Sequence, residues 1–82
     1  MLFPAFIPSF SKREREILQL IYEGYTSQEI ASKLFISQQT VESHRKNMIS
    51  KAGTKNMFGV IRVAIERELI AINFPAKRVY QD

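Results

Sequence analysis

The 82-residue chain contains no cysteine, which excludes disulfide bonds and any metal site built on thiolates. It has no long apolar run, so no segment reads as able to cross a bilayer. No stretch alternates apolar and polar residues between turn signals, so no strand is expected. Neither a fixed-period repeat nor a low-complexity tract is visible. The N-terminal MLFPAFIPSF is apolar but holds two prolines; it lacks a basic start and a small-residue cleavage site, and does not read as a secretory signal. His44 is the single histidine, with neither cysteine nor paired carboxylates around it, which leaves no constellation for catalysis or metal binding. The expectation is a cytoplasmic protein that is not an enzyme, carries no cofactor and has no membrane partner.

What is present fits one small domain: 82 residues at 45% hydrophobic content leave no room for two cores. The formal net charge of +4 points to an anionic partner, and its distribution says more than its size. Residues 33–55 carry Lys33, Arg45, Lys46, Lys51 and Lys55 against one acid, Glu42. The rest of the chain balances at seven basic and seven acidic side chains, so the whole positive excess sits in that one stretch.

Helix signals divide the chain into four segments, an all-α fold. Ser11 and Glu14 form a capping box, Ile17, Leu18, Leu20 and Ile21 an apolar face, and Gly24 a stop, predicting a helix near 11–23. Thr26 and Glu29 form a second capping box, followed by Ile30, Ala31 and Leu34, for a helix near 27–34. Ser37 caps a third helix that runs over 38–52 and ends at Gly53. The break between the second and third is short enough to force a steep crossing, the helix-turn-helix arrangement. A fourth, strongly apolar helix is expected over 56–70. Residues 1–10 read as an arm or linker, 11–70 as the domain, and 71–82, with Pro75, as a tail.

The third helix is poorly suited to filling a core. On a wheel of about 100° per residue, Val41, Met48 and Ala52 share a narrow arc with Ile49 beside them. Ser43, Lys46, Asn47 and Ser50 lie opposite, flanked by Thr40, Glu42 and Lys51. Such a face suits the major groove of a DNA duplex, which admits one α-helix. Lys46 can donate to guanine, Glu42 can accept from the cytosine amino group, Asn47 can reach adenine, and Ser43 permits close approach. Arg45, at the edge of the buried arc, can run its stem along apolar surface and place its guanidinium on a phosphate. Lys55 continues the basic margin. The helix start at Thr26 and Ser27 offers free amides to a second phosphate.

The residues of this region resemble a known family. SKREREILQLIYEGYTSQEIASKLFISQQTVESHRKNMISKAG, residues 11–53, is similar to the LuxR-type helix-turn-helix domain, also called the GerE or FixJ/NarL effector domain. The marks are Ser11 to Leu18, Gly24, Gln28 to Ala31, Leu34, Ile36-Ser37, Thr40-Val41, His44, Asn47-Met48 and Lys51, continuing weakly to Leu69-Ile70. The resemblance implies a four-helix DNA-binding domain that dimerises through its fourth helix. It implies base contacts at Glu42, Ser43 and Lys46, and phosphate contacts at Thr26, Ser27, Thr40, His44, Arg45 and Lys51. Glu42 stands where lysine is frequent, Ala52 where leucine is usual, Thr54 where valine is usual and Met57 where arginine is frequent.

In the fourth helix, Val60, Ile61, Ala64 and Leu69 read as the core face. Phe58, Val63 and Ile70 then spill onto neighbouring surface and become the candidate dimer contact, each copy reading one half-site of a palindrome. RNA polymerase and a receiver or ligand-sensing domain are the further partners that such domains imply. The rival reading is a helical interaction module that binds an acidic protein.

Overall fold

The computed structural model describes residues 9–71. The expected tail beyond Ala71 and most of the expected arm lie outside that range. Four helices follow one another, α1 (Lys12–Tyr22), α2 (Ser27–Leu34), α3 (Gln38–Ala52) and α4 (Met57–Glu66), with no strand among the described residues. None of the helices is long and apolar enough to cross a membrane.

Each helix starts at a residue whose side chain accepts a backbone amide. Ser11 and Glu14 form a reciprocal box, with amide-to-oxygen distances of 2.8 and 3.1 Å. Thr26 and Glu29 repeat it at 2.9 and 3.1 Å. Ser37 accepts from the Thr40 amide at 3.0 Å, and Asn56 from the Gly59 amide at 3.2 Å. Each start therefore satisfies one or two of the amides that a helix leaves without partners.

The helix ends share a second device, a residue at positive φ. Gly24 and Gly53 supply it after α1 and α3, at φ 100° and 70°. After α2 and α4 it falls to Phe35 (φ 59°) and Glu68 (φ 57°), side chains for which that region is unfavourable. The last case corrects the expected length of α4, which stops at Glu66 and does not reach residue 70. The Glu68 amide donates to the Ile65 carbonyl and the Leu69 amide to the Ala64 carbonyl at 2.8 Å, a paired closure that reverses the chain. The reversal carries Ile70 into the core at 8% exposure, so Ile70 is not the surface side chain that a continued helix would make it. The Ala71 peptide is then held by the Gln19 amide group, as donor at 2.8 Å and acceptor at 2.9 Å.

The core gathers Ile17 and Leu18 of α1, Ile30 and Ala31 of α2, Val41 and Met48 of α3, and Met57, Val60 and Ala64 of α4. Phe10 joins it, which extends the packed domain one residue before the expected boundary. Ile61 and Leu69, expected in the core face of α4, pack against its edge. The first turn of α4 comes close to the connector that follows α3. A Cβ placed on Gly59 would lie 2.6 Å from Thr54 Cβ, so only a residue without a side chain fits there.

Candidate nucleic-acid interface

Val41 and Met48 are fully buried, with Ile49 and Ala52 half-buried beside them. This narrow stripe holds α3 to the other three helices and, with His44 and Arg45 half-buried at its edge, leaves most of the remaining surface to solvent. Glu42, Ser43, Lys46, Asn47 and Ser50 are all exposed. The four side chains expected at base edges therefore stand together on one face of one helix. Lys46 has no ion pair among the described residues, so its ammonium is available to an outside acceptor. Glu42 is paired to Arg45, 3.5 Å from Oε1 to Nε, within the same helix. The Arg45 side chain is the more covered partner, at 28% exposure, as its place beside the buried arc demands.

The expected phosphate contacts fall into distinct groups. Thr40 is exposed, and its hydroxyl shares a 2.8 Å hydrogen bond with that of Ser37. The Thr26 hydroxyl oxygen is occupied as the α2 cap, and Ser27 follows it half-buried. Lys55 is exposed after the end of α3. His44 is half-buried, and its Nδ1 is enclosed without a hydrogen-bond partner. Lys51 is engaged elsewhere: its Nζ lies 2.8 Å from Glu14 Oε1 and 3.2 Å from the Ser9 carbonyl oxygen. Lys33, counted in the basic stretch, lies over the Tyr25 ring at 4.9 Å, a cation–π contact.

Two features of this face were not anticipated from the sequence. Gln38 and Gln39 are exposed in the first turn of α3, where their amide groups can both donate and accept. The α3 cap also lacks the carboxylate that closes the caps of α1 and α2, and the first turn of α3 holds no acid. The positive end of the helix is therefore not neutralised from within. That signal was legible, since the residue three beyond Ser37 is Thr40 and not glutamate.

Of the expected dimer contacts, Phe58 is 85% exposed and Val63 half-buried. Phe58 lines a groove together with Ile21, Tyr22, Arg45, Met57 and Ile61.

Comparison with known proteins is decisive at this point. Residues 8–64 match the model of the bacterial regulatory proteins of the luxR family. The chain belongs to the luxR family. As such it is the DNA-binding helix-turn-helix domain of a transcription regulator. Among curated relatives, the oxygen regulatory protein NreC of Staphylococcus aureus is 45% identical over 60 residues, which cover 73% of this chain and 28% of NreC. The luxR-family chain thus spans less than a third of that relative's length. The structure of the transcription factor GerE superposes with a TM-score of 0.75 at 32% identity, covering 77% of this chain and 94% of GerE. The VqmA–ligand–DNA complex of Vibrio cholera gives a TM-score of 0.72 at 27% identity, covering 99% of this chain and 35% of VqmA.

Proposed function

We propose that this luxR-family domain lays α3 in the major groove of a specific duplex and reads bases with Glu42, Ser43, Lys46 and Asn47. The observation that carries this reading is the division of α3 into a buried stripe, Val41 and Met48, and an exposed polar face that holds all four of those side chains. The width of the major groove accommodates such a helix. Glu42 accepts from a cytosine amino group, and Lys46 donates to guanine O6 or N7. Thr26, Ser27, Thr40, His44, Arg45 and Lys55 supply the phosphate contacts that fix register. The start of α3, capped by Ser37 without any carboxylate, adds a positive field. The VqmA complex with DNA supports the reading by likeness of fold.

The domain acts as a symmetric pair through α4, with Phe58 at the centre of the contact and Val63 at its margin. Half-site centres then lie about 34 Å apart on a palindrome. A receiver or ligand-sensing domain, and RNA polymerase, are the partners through which such a domain is controlled and acts, in the cytoplasm. Selection from a random duplex pool tests the whole reading. Recovery of an inverted repeat is the expected result. Recovery of no preferred duplex, with the helical fold intact, would overturn it and leave an acidic protein as the partner of the basic face.

A further inference from the structure

The last turn of α3 is tied to the first turn of α1. Lys51 Nζ lies 2.8 Å from Glu14 Oε1 and 3.2 Å from the Ser9 carbonyl oxygen. The same Oε1 accepts the Ser11 amide at 2.8 Å. Glu14 is 3% exposed and is the one buried polar or charged residue among those described. A carboxylate withdrawn from water to this extent needs donors to compensate it. One donor comes from the α1 cap and the other from α3, and the second reaches on to the chain at Ser9. Burial by itself raises the Glu14 carboxyl; the Lys51 ammonium and the Ser11 amide outweigh that effect and bring it below the ordinary carboxylate value. The ammonium of Lys51 is thus committed within the protein, unlike that of Lys46 or Lys55.

We infer that Lys51 is a positioning residue for the DNA-reading helix and not one of its phosphate ligands. It fixes the end of α3 against the α1 cap and the Ser9 carbonyl, and so sets the tilt at which Ser43, Lys46 and Asn47 face the groove. The inference rests on the DNA reading above. Because the Ser9 carbonyl belongs to the tie, the path by which the chain reaches α1 is coupled to the tilt of α3.

The test uses the 82-residue chain and its Lys51→Met variant on one duplex recovered by selection. Affinity is measured over a range of salt concentrations and against single base-pair substitutions of that duplex. The variant is expected to bind about tenfold more weakly, within the range that residues coupling two sites contribute. Its penalties for wrong base pairs shrink, while the slope of log affinity against log salt stays that of the parent. A slope shallower by about 0.9, one phosphate's worth, would make Lys51 a phosphate ligand and overturn the inference. Unchanged affinity and base discrimination in a folded variant would overturn it as well, by leaving the tie structural only. Lys51→Arg is expected to restore discrimination, since a guanidinium can donate to both acceptors.

Where Lys51→Met does not fold, Glu14→Gln takes its place. Glu14 is an acid and cannot itself be a phosphate ligand, so lost discrimination without a shallower slope supports positioning, and full discrimination refutes it. A parent chain that prefers no duplex sinks the DNA reading and this inference together. A failure confined to the variants leaves that reading standing.

Discussion

The starts of α1 and α3 are built alike for one residue and then diverge. Both open on a serine whose hydroxyl accepts the amide three residues on, at 3.1 Å in α1 and 3.0 Å in α3. In α1 that third residue is Glu14, buried and bonded back to the cap. In α3 it is Thr40, exposed, with only a hydroxyl to offer. One start is closed by a carboxylate and serves the fold. The other keeps its positive field open to solvent. On the proposed DNA reading, the difference separates stability from binding in this small domain.

The comparison breaks most severely at Glu14. Glu14→Ala removes the reciprocal cap, leaves the Ser11 amide without its acceptor and leaves the Lys51 ammonium only the Ser9 carbonyl. The expected loss is about 2–3 kcal/mol of stability, read from urea unfolding. The charge of Glu14 also makes stability depend on pH. Its folded carboxyl lies below the ordinary value, so its contribution is fully present above the unfolded value, about pH 4.3. That contribution is lost as pH falls through the lower folded value. Melting temperature should drop across this acid range in the parent, and Glu14→Gln should lessen the drop.

On the open side, Lys46→Ala should leave stability within about 0.5 kcal/mol, while binding to a selected duplex weakens by about 1–3 kcal/mol with relaxed preference at a single base pair. A comparable fall in stability would mean that the exposed face of α3 is part of the fold after all. The sharpest test converts one start into the other. Thr40→Glu closes the α3 cap in the manner of α1 and should add about 0.5 kcal/mol of stability, seen as a higher melting temperature. The same carboxylate repels phosphate, so duplex affinity should fall. Stability and affinity rising together would refute the division.

The two starts also differ in how far the sequence revealed them. Both caps were legible, because capping depends on residue types at fixed short spacing. The exposed face of α3 was legible for the same reason, since helical periodicity alone separates Val41 and Met48 from Ser43, Lys46 and Asn47. The partner of Lys51 was not, because Glu14 is 37 positions away and only tertiary packing brings them together. The end of α4 was hidden differently. Its left-handed residue is Glu68, which gives none of the warning that Gly24 or Gly53 gives. The apolar pattern through Leu69 and Ile70 invited a longer helix, and the reversal that buries Ile70 depends on contacts with the finished core.

The bare backbone at Gly59 lets the opening turn of α4 press against Thr54, with a hypothetical Cβ only 2.6 Å from Thr54 Cβ. A helix start seated this tightly on its own connector leaves no slack between the two. Phe58 adjoins that tooth in sequence, so a neighbour gripping its ring also leans on the connector that leaves α3. In the proposed pair, a contact made on Phe58 would therefore press on the same connector that follows the proposed reading helix.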